Sequence, residues 1–243
     1  MTKLTADKSL QKAARVAGLA YLLIIVTSTP LWAFDTFKFI VEGNDAATFS
    51  NIMAKELLFR FTTAYELFMY VGVVILSIAL YAILKTVNKD LALFALCCRL
   101  IEAIMGCLVV LSSLVVLQLL NGENYSAVFE AEQLQALVGL FLVDVQSAAR
   151  SILIVFFSLG TIVFCFLFFK SKYIPRILAG FGIFSFLLTL IYYIVAILFP
   201  NLPAMIQIVC HLPGILFEVI IGLWLLIKGV NVEHWEKRAL ESA

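Results

Sequence analysis

Histidine is nearly missing from this chain, which has two, His211 and His234. A three-histidine zinc site of the kind found in membrane hydrolases therefore cannot be built. The H-E-x-x-H, G-x-S-x-G and P-loop patterns are absent as well. Acid–base work by a pair of carboxylates is the one enzymatic route left open. Charge is scarce, with 14% Asp, Glu, Lys and Arg and a formal net charge of +1. No basic residues gather along one face, which argues against nucleic acid as a partner. The five cysteines (Cys97, Cys98, Cys107, Cys165 and Cys210) are odd in number, lack C-x-x-C spacing and lie in apolar runs. That speaks against a disulfide framework and a zinc site, and it leaves them as small buried hydrophobes. No metal and no cofactor is expected, and no residue is assigned a catalytic role. The first apolar run follows Lys3, Lys8, Lys12 and Arg15 but ends without a small-x-small cleavage site. Its best candidate, Leu31-Trp32-Ala33, begins with a bulky leucine. The run predicts an uncleaved first span.

What is present in excess is hydrocarbon. The 243 residues are 63% hydrophobic, against about 45–50% in soluble domains. Apolar runs of about 20 residues recur along the chain, each long enough to cross a hydrocarbon layer about 30 Å thick. No soluble domain is left between them. The fold class predicted is all-α, a polytopic integral membrane helix bundle forming one domain over residues 1–243. Its six spans are placed at about Ala14–Ala33, Leu58–Leu84, Leu91–Leu120, Arg150–Phe169, Ile177–Phe199 and Ala204–Ile227.

Orientation follows from the basic residues. With the N-terminus inside, twelve lie on the cytoplasmic side: Lys3, Lys8, Lys12, Arg15, Lys85, Lys89, Lys170, Lys172, Arg176, Lys228, Lys237 and Arg238. Only Lys38 and Lys55 lie outside, with Arg60 and Arg150 near the outer boundary. The positive-inside rule then places both termini in the cytoplasm. Tyr81/Lys85, Phe166/Lys170 and Trp224/Lys228 repeat an aromatic–lysine spacing at three span ends. Three related hairpins would give this pattern, as would ordinary interfacial anchoring.

Two outer segments are more than loops. Asp45 is positioned to cap a short interfacial helix carrying Phe49, Ile52 and Met53 on one side. Leu134–Val145 is apolar but only twelve residues long. Joined to the fourth span it would measure about 54 Å at 1.5 Å per residue, so a turn is expected near Ser147.

The remaining signal is polar. Glu66, Arg99, Glu102 and Glu218 lie within apolar runs, where a charge costs roughly 2.5–3.5 kcal/mol at mid-bilayer. Arg99 and Glu102 are helix neighbours at i, i+3. His211, Gly214, Glu218 and Gly222 share one face of the last span, and Thr62, Thr63, Glu66, Tyr70 and Ser77 share one face of the second. Matching depths predict that the second, third and sixth spans face one another, with Arg99 forking between Glu102 and Glu218. One arginine does not neutralise three carboxylates, so one acid is left protonated, solvated or paired with a cation. Pro213 frees the carbonyl of Val209 inside the last span.

Three stretches carry a family likeness: Leu91-Ala92-Leu93 through Arg99-Leu100-Ile101-Glu102-Ala103, Ser171-Lys172-Tyr173-Ile174-Pro175-Arg176-Ile177-Leu178, and Glu218 followed by Gly222-Leu223-Trp224-Leu225 and Lys228-Gly229. Through them the chain resembles the bacterial multi-pass membrane family called domain of unknown function 4386, over nearly its whole length. The resemblance implies a bacterial cytoplasmic-membrane protein of six or so helices, without an established activity, substrate or cofactor. Two functions are expected from the whole. The first is a non-enzymatic structural, regulatory or stress-adaptive protein whose polar core fixes packing. The alternative is a small transporter of protons, ions or solute using Glu102 and Glu218. The lipid bilayer is the expected partner. The sequence names no protein partner and no oligomeric state.

Overall fold

The computed structural model describes residues 3–34, 39–41, 43–121, 128–199 and 202–235, and no strand occurs among them. Lys38, Lys237 and Arg238, counted in the charge balance, lie outside the described residues. The helices are α1 (Lys3–Phe34), α2 (Asp45–Ala54), α3 (Glu56–Leu84), α4 (Lys89–Asn121), α5 (Ala131–Gly139), α6 (Gln146–Ser171), α7 (Arg176–Leu198) and α8 (Ala204–Ile227). A π-helical turn, Leu140–Val145, joins α5 to α6. Six helical stretches are long and apolar enough to cross a membrane. The all-α class follows from the solvent: in hydrocarbon every backbone N–H and C=O must be satisfied within the segment, which a helix does by itself. The protein is a multi-pass membrane protein.

The chain divides into two compact units. The first comprises residues 1–25, 72–103 and 154–243. Its core holds Leu76, Leu80, Ile83, Phe164, Leu167, Phe186, Phe217 and Leu225. Phe157 of α6, Phe186 of α7 and Phe217 of α8 stack edge to face in series, at 5.0 and 5.8 Å between centroids. Lipid gives little hydrophobic drive between helices, so close contact depends on small residues. At Gly18 of α1 a Cβ would strike the backbone of α8, at Leu226 N and 2.7 Å from the Gly222 carbonyl oxygen. The backbones touch there because neither residue has a side chain to intervene. Asn88 caps α4 by accepting from Leu91 N at 2.9 Å. Gly229, at φ 69°, ends α8 in the left-handed conformation that favours glycine. Its N–H and that of Lys228 both donate to the Trp224 carbonyl, at 3.1 and 2.8 Å.

The second unit comprises residues 26–71 and 104–153. Phe39, Ile52, Phe59, Val116, Leu117, Val138 and Leu142 form its core. Helix α2 exists as expected, but its cap is Asn44, whose Oδ1 accepts from Ala47 N at 2.9 Å. Asp45 is instead the first helical residue, and its carboxylate rests against Gly139 of α5. Ile52 is buried, Phe49 packs on the core and Met53 is exposed.

The turn expected near Ser147 does not occur. The chain runs helically from Ala131 to Ser171, 41 residues, or about 60 Å. The π-helical turn admits an extra residue without interrupting the hydrogen-bond ladder, whereas a turn at this place would strip backbone groups of their partners.

Candidate functional site

The charged pair of the first unit lies on one helix. Arg99 and Glu102 are 2% and 5% exposed, and Arg99 Nη1 lies 2.8 Å from Glu102 Oε2. That oxygen has no aligned hydrogen-bond donor, so the contact is an ion pair rather than a directed hydrogen bond. The hydrogen-bond and ring partners of Arg99 belong to α6. Nη1 donates to Thr161 Oγ1 at 3.4 Å, and Thr161 in turn donates to the Phe157 carbonyl at 2.8 Å. The guanidinium lies over the Phe157 ring, 4.7 Å from its centroid, a cation–π contact strengthened by desolvation. Its stem occupies the space a side chain at Gly160 would need, since a Cβ there would come within 3.1 Å of Arg99 Cγ. Arg99 Nε is buried without an acceptor among the described residues.

Glu218 on α8 completes the group. It is half-buried, and among the described residues it makes no hydrogen bond and no ion pair. The expected fork from Arg99 to both carboxylates is therefore not made, because the guanidinium serves its own helix and α6. Glu218 is nevertheless within electrostatic reach of Arg99 and of Glu102. Buried Tyr21 of α1 lies within reach of Arg99, Glu102, Cys165 and Glu218. One fixed positive charge thus faces two carboxylates, one of them open.

Glu66 has a different set of partners, in the second unit. Arg150 Nη2 lies 3.3 Å from its Oε1, and the Tyr70 hydroxyl donates to the same oxygen at 3.5 Å. Arg150 Nη2 also donates to Gln146 Oε1 at 3.4 Å. Gln146 Nε2 then donates to Ser113 Oγ at 2.9 Å and to the Val109 carbonyl at 3.3 Å. A polar chain so ties α3, α6 and α4, with Tyr70 held against Gly106.

His211 sits among aromatics. Its Nδ1 is 2.8 Å from the Gln207 carbonyl, and its ring meets those of Tyr193 and Tyr192 at 5.3 and 6.2 Å. The face expected to run from His211 to Gly222 is shared between two neighbours: His211 and Gly214 meet α7, while Gly222 meets Tyr21 and Leu22 of α1. Near Pro213, Thr189 Oγ1 of α7 donates to the Cys210 carbonyl at 3.1 Å. Among the described residues no three His, Cys, Asp or Glu side chains converge to hold a metal.

Several contributors went unnoticed in the sequence, although each left a trace. Phe157, Gly160 and Thr161 form an i, i+3, i+4 patch inside an apolar run. Gln146 and Arg150 are polar at i, i+4, and Tyr21 follows Gly18 by one turn.

Residues 16–229 match the family described as domain of unknown function (DUF4386). No curated protein and no solved structure matches the chain.

Proposed function

Because the chain belongs to the DUF4386 family, whose description carries no activity, we propose from its own polar residues that it is a non-enzymatic membrane protein that moves protons, with Glu218 as the exchanging acid. The observation that carries this reading is the carboxylate of Glu218, which has no hydrogen bond or ion pair among the described residues and lies within electrostatic reach of the Arg99–Glu102 pair. A clip joining α4 to α8 would close Arg99 onto Glu218, and it does not. A fixed guanidinium nearby offsets part of the cost of ionising a carboxyl in hydrocarbon, which lets one group both hold and release a proton. A small ion or solute travelling with the proton fits the same site. We read the setting as the cytoplasmic membrane of a bacterium with both termini on the cytoplasmic side. The distribution of lysine and arginine supports that orientation.

A second reading, in which the polar core fixes packing, is favoured by Arg99 itself. Its stem, ring stacking and Thr161 contact all bind α4 to α6. The two readings separate in proteoliposomes with an imposed pH gradient and a pH-sensitive dye inside. Wild-type protein should dissipate the gradient faster than protein-free vesicles, and Glu218→Gln should reduce the excess rate at least tenfold. Folded protein that conducts no faster than empty vesicles, or a Glu218→Gln variant as fast as wild type, overturns the proton reading and leaves packing.

A further inference from the structure

A cavity of about 490 Å³ opens between α1 and the end of α8, in the first unit. Its lining changes character along its length. Lys8, Lys12 and Arg15 form one end and Val16, Leu19 and Leu226 the other, with Gln11 at the side. Lys8, Lys12, Arg15 and Leu19 fall at i, i+4, i+7 and i+11, so, contrary to the expectation that no basic residues gather along one face, they make one stripe of α1 that is cationic for two turns and apolar for the next. The stripe measures about 16 Å along the helix axis. Two contacts hold the adjoining side of α1, about a quarter-turn away, to α8 and the residues that follow it: the backbone approach at Gly18, and Gln11 Nε2 donating to the Val230 carbonyl at 2.8 Å. The stripe therefore stays open where the two helices part. Among the described residues, none of the three cations makes a hydrogen bond or ion pair and no carboxylate lines the cavity.

We propose that this cavity is a binding site for an anionic glycerophospholipid, with its phosphate between Lys12 and Arg15 and an acyl chain against Val16, Leu19 and Leu226. The polarity runs parallel to a membrane-spanning helix, the direction in which a lipid also changes from headgroup to tail. Basic pockets at the ends of membrane helices suit anionic headgroups. A free phosphate would use the cationic half and leave the apolar half without purpose. A zwitterionic lipid carries its own cation, which the three basic side chains repel.

The test is native mass spectrometry of the full chain in neutral detergent, titrated with dioleoylphosphatidylglycerol, dioleoylphosphatidylcholine or inorganic phosphate. Each cation near an anionic headgroup contributes about fivefold in affinity. Replacing Lys8, Lys12 and Arg15 together by Gln should thus raise the half-saturating phosphatidylglycerol concentration about a hundredfold. The charge-conserving set Lys8→Arg, Lys12→Arg and Arg15→Lys should bind as wild type. Phosphatidylcholine should bind wild type no better than phosphatidylglycerol binds the Gln variant, and phosphate should not displace the lipid. Equal binding of the two lipids, or undiminished binding by a folded Gln variant, overturns the proposal. Displacement by phosphate alone overturns it too, by assigning the site to a free anion. Should the Gln variant fail to fold, Leu19→Trp keeps every cation and fills the apolar half. Loss of phosphatidylglycerol in that variant supports the lipid site, and wild-type binding refutes it.

Discussion

Replacing Arg99 by Met keeps much of the stem that packs on Gly160 while deleting the charge. Glu102, 5% exposed, then loses the cation 2.8 Å away and has no other partner among the described residues. Breaking a buried pair from one side costs about 3–5 kcal/mol, because the surviving charge keeps its desolvation penalty without compensation. The stacking on Phe157 is lost as well, and a desolvated cation–π contact is worth up to about 2 kcal/mol. The variant should therefore lose about 3–5 kcal/mol or slightly more, enough to shift an unfolding equilibrium by a factor of about a thousand. Removing Glu102 along with it changes the sign of the argument. Arg99→Met with Glu102→Leu takes both desolvation penalties away, and should lie within about 1–2 kcal/mol of wild type. Reversible unfolding by sodium dodecyl sulfate in mixed micelles, followed by tryptophan fluorescence, gives both values. With Glu102→Leu alone as the fourth corner, the cycle yields the coupling between the two residues. A double variant as unstable as Arg99→Met alone would refute the reasoning, since the loss would then come from packing and not from an orphaned charge.

Two glycines should respond to alanine in opposite directions. At Gly18 a Cβ would lie 2.7 Å from the Gly222 carbonyl oxygen and 2.9 Å from Leu226 Cα, so α1 and α8 must separate, at about 1–3 kcal/mol. At Gly180 the nearest atom is 3.9 Å away on Phe169, and alanine should stabilise by about 0.5–1 kcal/mol. Melting temperatures in detergent should rank Gly180→Ala at or above wild type and Gly18→Ala below it, and the reverse order would contradict the observed helix contact. Thr189→Val removes the hydrogen bond to the Cys210 carbonyl at 3.1 Å. A loss of about 0.6 kcal/mol, and no more than about 1.7, is expected for an interhelical bond in a membrane. A change of zero would mean that the Pro213 region keeps its backbone satisfied without Thr189.

The fold class could be read from the sequence because membrane spans announce themselves by composition alone: runs as apolar as Leu58–Leu84 have one way to satisfy their backbones in lipid. What could not be read was local geometry. Asn44 and Asp45 are both good caps; Asn44 caps, and the Asp45 side chain packs against Gly139 instead. The bend expected near Ser147 rested on length, yet the chain continues as one helical run, with a π-helical turn at Leu140–Val145 and no break near Ser147. The polar residues show the same limit. That Arg99 and Glu102 pair is a matter of spacing along one helix. That Arg150 serves Glu66, and that Phe157 and Thr161 serve Arg99, depends on how separate helices are rotated about their axes. Nothing in a single sequence reports that rotation.

The π-helical turn at Leu140–Val145 has a consequence for the chain beyond it. A helix advances about 100° per residue, so one residue more or less between two helical stretches sets the phase of the second against the first. Within the second unit, α6 carries Arg150, which answers Glu66. Rewinding the turn into ordinary α-helix would rotate Arg150 against α5. The Glu66 site is thus timed by six residues, Leu140–Val145, that hold no charge beyond Asp144. Over evolutionary time, an insertion or deletion there would re-aim Arg150 in one step.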